Sequence, residues 1–121
     1  MRGRASRRLG ASLALCAAVF AGVTAWGHAK LLETSPAAGS QIAVAPKSLT
    51  LRFNEQVRLA VLTLRTAGHA VPVTIDRNAA PASVITIALP PLAAGDYDVQ
   101  WSALTPSDGH MVKGTYSFVI R

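Results

Sequence analysis

The 121-residue chain has almost no cysteine, because its one cysteine, Cys16, lies inside an apolar N-terminal run. Leu15 stands directly before it, where a lipoprotein signal would have a small residue, so we expect Cys16 to be removed with that run. The rest of the chain then has no thiol. This excludes cysteine nucleophiles, thiolate metal sites and a disulfide-stabilised scaffold.

Acidic residues are missing from the first 27 positions, which contain four arginines. Residues 28–121 carry three Lys and five Arg against six Asp or Glu, so the net charge of +6 divides into +4 and +2. After Arg8 the sequence has no run of Lys or Arg, and the aromatic residues do not alternate with basic ones, so a nucleic-acid partner is not predicted. Plentiful apolar residues and a low net charge also argue against disorder.

The N-terminus has the pattern of a secretory signal peptide. A basic segment precedes the apolar residues 9–23, and small residues stand at Ala25 and Gly27. The expected cleavage follows Gly27, which makes residues 1–27 the signal peptide and residues 28–121 a single mature domain that starts at His28. A cut after Ala29 and a retained anchor are the alternatives, although the run is shorter than the ~20 residues of a spanning helix. The general and the twin-arginine export routes both stay open.

Residues 28–121 are predicted to be all-β, because apolar and polar residues alternate in short segments and helical periodicity is absent. About seven short strands separated by turns fit an immunoglobulin-like β-sandwich with Greek-key connections. A hairpin turn is expected at residues 67–69, and residues 92–97 look like a tyrosine corner built on Tyr97. The apolar positions of the predicted strands, after a first strand over residues 30–35, are Leu49, Leu51 and Phe53; Ala60, Leu62 and Leu64; Val71, Val73 and Ile75; Ile85, Ile87 and Leu89; Tyr97, Val99 and Trp101; and Tyr116, Phe118 and Ile120.

Two features could bind a metal. A mature N-terminal His28 would offer its α-amine and ring Nδ1, which close a chelate ring on one ion. Asp108-Gly109-His110 places two donors at positions i and i+2, which project to one side of an extended chain. Together they supply three nitrogens and one carboxylate oxygen, a tetragonal set that suits Cu(II). The ordinary alternative for the tripeptide is an Asp-Gly turn with a solvated histidine.

The mature chain resembles the CopC family of secreted copper-binding proteins along its whole length. The segments that carry the resemblance are residues 28–31, 35–39, 46 with 49–57, 95–101, 107–110 and 114–118. The resemblance implies a β-sandwich that binds Cu(II) through His28, Asp108 and His110, with one ion per chain. It also implies a periplasmic protein without enzymatic activity that sequesters or delivers copper.

Some members of the family carry a methionine-rich central segment that holds Cu(I), and here the sequence departs from that pattern. Residues 62–82 contain no methionine, and thioethers are the ligands that Cu(I) selects. The sequence therefore predicts a Cu(II)-only member, expected to be a monomer. A separate inner-membrane copper transporter is left open as its partner.

Four further residues have two interpretations each. Glu55 follows a predicted strand, where the family often has an acid near copper, so it is either an axial or second-shell group or a solvated charge. Trp101 is expected in the core. His69 is expected to be an exposed turn residue rather than a second ligand site, and Met111 is expected to pack in an apolar environment rather than to ligate.

Two other classes of function remain as alternatives to copper binding. A terminal-histidine copper site also occurs in monooxygenases that act on polysaccharides. Those enzymes need an open coordination position and a broad substrate face, and the short domain offers no aromatic surface for a glycan. A structural sandwich domain without a metal is the other alternative.

Overall fold

The computed structural model describes residues 29–121, which form seven β-strands and no helix. Residues 1–28 lie outside the described part, and with them the predicted signal peptide, its cleavage site and His28. Within residues 29–121 no helix is long and apolar enough to cross a membrane. The strands are β1 (Leu31–Ser35), β2 (Gln41–Ile42), β3 (Ser48–Thr66), β4 (His69–Val71), β5 (Ala82–Ala88), β6 (Gly95–Thr105) and β7 (His110–Ile120).

The long strand β3 belongs to both layers of the protein. Its first half pairs antiparallel with β1 and β5, and its second half pairs antiparallel with β4 and β6. β7 extends the second layer beyond β6, and β2 pairs in parallel with the end of β7. Because β6 lies beside β3 although β4 and β5 intervene in the chain, the connections skip neighbours as in Greek-key folds. The predicted all-β sandwich is confirmed.

Side chains from the two layers meet in one core. Phe53 of the first layer contacts Trp101 of the second edge to face, with ring centroids 5.2 Å apart. Tyr97 stacks on Phe118 at 5.4 Å. Each fully buried side chain of this size contributes roughly 1.5–3 kcal/mol relative to an exposed one, so this core stabilises the fold without a disulfide.

A β-bulge in β3 explains why the sequence indicated two strands where the structure has one. Leu59 pairs with Ala103 and Val61 pairs with Ser102, so Ala60 is an extra residue on β3. The inward positions change parity there. Leu59 is buried before the bulge and Leu62 after it, while Ala60, predicted on the inward row, is only half-buried.

Two other strand predictions need correction. The strand expected at Val71, Val73 and Ile75 ends at Val71, because only residues 69–71 pair with β3. Val73 and Ile75 still pack against the core as partly buried side chains. The two-residue strand β2 has no counterpart among the predicted strands, since a segment this short has no periodicity to detect.

The two predicted turns are present. Ala67 and Gly68 both have positive φ, 48° and 81°, which is typical of the tight turn of a β-hairpin. The hydroxyl of Tyr97 donates to the carbonyl oxygen of Ala93 at 2.7 Å, as in a tyrosine corner.

Candidate metal centre

The turn between β6 and β7 carries two of the three predicted ligands. β6 ends at Thr105 and β7 begins at His110, and these two residues pair across the turn. The backbone N–H of Gly109 donates to the Thr105 carbonyl at 2.8 Å, which closes the turn. Gly109 has a φ of 75°, a left-handed conformation that glycine adopts without steric cost. The backbone of the turn therefore favours glycine between the two predicted ligands.

Asp108 and His110 are brought together at the tip of this turn. Oδ1 of Asp108 accepts a hydrogen bond from the backbone N–H of His110 at 3.0 Å, and Oδ2 lies 3.5 Å from the His110 ring Nδ1. The side chains are 39% and 59% exposed, respectively. A carboxylate and an imidazole thus stand side by side where an ion from solvent can reach them.

Glu55 comes to the same turn from β3. Its Oε1 accepts a hydrogen bond from the Ser107 hydroxyl at 3.4 Å, and Ser107 directly precedes Asp108. Both residues line an open cavity of about 260 Å³ together with Gln56, Pro81 and Pro106. The structure thus places Glu55 one hydrogen bond away from the residue that precedes Asp108, and both interpretations of Glu55 stay open.

The start of the described chain is attached next to Glu55. The backbone N–H of Lys30 donates to Oδ1 of Asn54 at 2.7 Å, and the Asn54 N–H donates to the Lys30 carbonyl at 3.0 Å. Ala29 is 5% exposed and belongs to the core. His28 lies outside the described residues and directly precedes Ala29 in the sequence.

Among residues 29–121, no three His, Cys, Asp or Glu side chains cluster in a way that could hold a metal ion. The described part of the centre is therefore the pair Asp108 and His110, with Glu55 linked to it through Ser107. A complete first shell of the predicted kind needs His28 as well.

The other three residues considered from the sequence, Trp101, His69 and Met111, lie in different environments. Trp101 is in the core, as predicted, at 6% exposure. His69 is exposed at the start of β4, where it pairs with Thr66 at the far end of β3 from Glu55. The expectation of apolar packing for Met111 is wrong, because its side chain is 54% exposed. The reason is strand parity: Met111 precedes the inward-facing Val112 and so lies on the outward row of β7.

Sequence reasoning did not identify Asn54, Ser107 or the Lys30 backbone as parts of this centre. Their contacts join positions 24 and 52 residues apart. No local pattern marks such pairs. From the sequence, Asn54 and Ser107 are recognisable only as polar residues, one at the end of a predicted strand and one in a turn.

Comparison with known proteins decides the family. The sequence model of the CopC domain matches residues 31–121. The chain belongs to the CopC family. Copper resistance protein C of Escherichia coli is 32% identical over 109 residues, which cover 81% of this chain and 85% of that protein.

Solved CopC structures agree with this assignment. CopC from Methylosinus trichosporium OB3b has a TM-score of 0.65 at 32% identity, covering 77% of this chain and 93% of the other. PcoC, a methionine-rich copper resistance protein from Escherichia coli, has a TM-score of 0.63 at 31% identity, covering 78% and 100%. The CopC β-sandwich is thus shared, and the function of this chain is related to copper.

Proposed function

We propose that this CopC-family chain is an exported, periplasmic protein that binds one Cu(II) ion through His28, Asp108 and His110. It sequesters the ion or delivers it to a partner. The observation that carries the proposal is the exposed pair Asp108 and His110 on one turn, beside the anchored segment that follows His28. Family membership supports copper as the metal.

We propose Cu(II) rather than Cu(I) because of the chemistry of the donor atoms. An α-amine, two imidazoles and a carboxylate are hard or borderline donors that suit tetragonal Cu(II), and copper exceeds the other divalent ions in the affinity order. A free α-amine has a pKa of about 8, so a metal can displace its proton near neutral pH. Residues 62–82 contain no methionine, which supports a member without a separate Cu(I) site.

Export would create the terminal ligand. Cleavage after Gly27 frees the His28 amine, so the site is completed only in the compartment where the signal peptide has been removed. In this proposal the protein acts as a monomer. A separate inner-membrane copper transporter is the candidate recipient.

We infer binding rather than catalysis. Asp108 would occupy one position of the tetragonal plane that an oxygen-activating centre leaves open. The large hydrophobic side chains exposed in residues 29–121 include no aromatic ring on which a polysaccharide could stack. These side chains are Leu32, Val44, Val61, Val84 and Met111.

The test combines mass spectrometry with a matched histidine pair. Native mass spectrometry of the exported protein, with and without Cu(II), should give a chain that starts at His28 and binds one ion. In a competition titration, His110→Ala should weaken Cu(II) binding by more than the ~10–100-fold typical of losing a ligand's hydrogen-bond partner. His69→Ala removes another exposed histidine, at the hairpin between β3 and β4, and should leave Cu(II) affinity unchanged. Equal losses in both variants would contradict the proposed site.

A further inference from the structure

Asn54 continues the β1–β3 contact one residue beyond the last pair of the ladder, with one bond from its backbone and one from its side chain. The ladder begins at Leu31, which pairs with Phe53. One residue earlier, Oδ1 of the Asn54 side chain accepts from the Lys30 N–H at 2.7 Å, and the Asn54 backbone N–H donates to the Lys30 carbonyl at 3.0 Å. Only the first of these two bonds is lost in Asn54→Ala. This two-point contact fixes Lys30 on β3 even though residue 30 is outside the strand.

The residue between Lys30 and His28 is held as well. Ala29 is 5% exposed and packs with the buried core residues. Both residues that follow His28 in the sequence are therefore held in the structure, Lys30 by Asn54 and Ala29 by the core.

The contact between Asn54 and Lys30 also lies next to the candidate metal centre along β3. Asn54 is followed by Glu55, which accepts the Ser107 hydrogen bond next to Asp108. Consecutive residues of β3 therefore hold the N-terminal segment and the turn that carries Asp108 and His110. The two halves of the donor set share one support.

We propose that Asn54 is a positioning residue for the terminal copper ligand: by binding Lys30, it orders the segment after His28 before the metal arrives. This inference rests on the proposed function. Ordering a terminal ligand costs conformational entropy, and a ligand that is already ordered on folding binds its metal more tightly. A merely structural Asn54 would instead stabilise β1 without changing copper affinity.

A double-mutant cycle separates these roles. Cu(II) affinity is measured by competition for four proteins: the chain starting at His28, Asn54→Ala, the chain extended by an N-terminal Met, and the extended Asn54→Ala. The extension moves the amine away from His28 and abolishes the chelate. We expect Asn54→Ala to weaken binding by about tenfold in the native chain. In the extended chain, where the α-amine no longer closes the chelate with the His28 ring, it should change affinity by clearly less than in the native chain.

Two matched pairs control for folding and charge. Lys30→Pro removes the backbone N–H that donates to the Asn54 side chain, whereas Lys30→Ala removes the lysine side chain and keeps that N–H. Only the proline variant should reproduce the loss. Asn54→Asp keeps the acceptor and should retain at least native affinity. Thr66→Val breaks a similar side-chain contact, the 2.7 Å bond to the Asp96 carbonyl, at the other end of β3 and should leave affinity unchanged.

The outcomes are distinct. The positioning role is overturned if Asn54→Ala binds Cu(II) with native affinity, or if it loses the same affinity in the chain that starts at His28 and in the Met-extended chain. The proposed site stands in either case. No loss on Met extension overturns the terminal ligand itself, and the inference with it. Melting of the copper-free proteins identifies any unfolded variant. If Asn54→Ala is unfolded, the Lys30→Pro and Lys30→Ala pair decides the question, and equal affinities of those two would overturn the role.

Discussion

Gly114 faces the Trp101 indole so closely that a Cβ at position 114 would lie 2.9 Å from Cζ2 and 3.1 Å from Cε2 of the ring. The two residues pair across β6 and β7, so their inward faces share the same space. Trp101 has little room to yield, because Phe53 packs against it edge to face. The glycine is what allows this ring into the core.

Gly114→Ala should therefore destabilise the protein by about 1–3 kcal/mol, the usual cost of overpacking a core. The higher strand propensity of alanine offsets only part of this, about 0.5–1 kcal/mol. Chemical denaturation measures the change. Lys113→Ala, at an exposed neighbouring position, is the control and should stay within about 0.5 kcal/mol of the native protein. Equal stability of the two variants would mean that the ring moves freely.

Tyr97→Phe should cost about 1 kcal/mol, the net value of a typical hydrogen bond. The variant loses the 2.7 Å contact with the Ala93 carbonyl and keeps the ring stacked on Phe118. Tyr116→Phe is the matched control, because the Tyr116 hydroxyl is buried and has no hydrogen-bond partner among residues 29–121. Denaturation curves should show a loss for the first variant and none, or a small gain, for the second.

Alkaline pH should destabilise the protein through Tyr116. Burial raises its pKa to about 12, while an unfolded tyrosine has a pKa of about 10. The folded state thus holds the phenol proton more tightly. This contribution to stability is complete below pH ~10 and is lost as the pH rises toward ~12, a loss of about 2–3 kcal/mol. Stability measured between these pH values should fall more steeply for the native protein than for Tyr116→Phe. Parallel curves would contradict the prediction.

Gly109→Ala should lower both the stability of the protein and its Cu(II) affinity. Residue 109 has a φ of 75°, and alanine there costs roughly 1–2 kcal/mol. Space is not the reason, since nothing lies within 4 Å of a Cβ at that position. Asn tolerates the left-handed conformation better, so Gly109→Asn should lose less stability and less Cu(II) affinity than Gly109→Ala. The reverse order would show that backbone conformation does not control this turn.

Cu(I) should bind poorly. Met111 is the only methionine after the predicted signal peptide, and a single exposed thioether makes a weak site. Competition with a Cu(I) chelator should show weak binding that Met111→Leu lowers further, while the Cu(II) affinity of Met111→Leu stays native. A tight Cu(I) site that survives in His28→Ala would refute the Cu(II)-only assignment.

The sequence alone determined the features that depend on near neighbours. Strand parity placed Leu49, Leu51 and Phe53 on one buried row, because side chains alternate along any strand. The spacing of Asp108 and His110 predicted that both donors face one side, and their mutual contact follows from a separation of two residues, although the backbone at Asp108 and Gly109 is a turn and not the extended chain that was expected. The tyrosine corner spans four residues and was equally local.

Tertiary structure alone decided the features that depend on register between distant strands. The bulge at Ala60 makes β3 one strand shared by both layers, whereas the change of parity in the sequence looks like a break between two. The bonds from Asn54 to Lys30 and from Ser107 to Glu55 join segments whose separation along the chain carries no signal. Such contacts exist only because β3 pairs with β1 at one point and with β6 at another, and the packing of the whole core sets those registers.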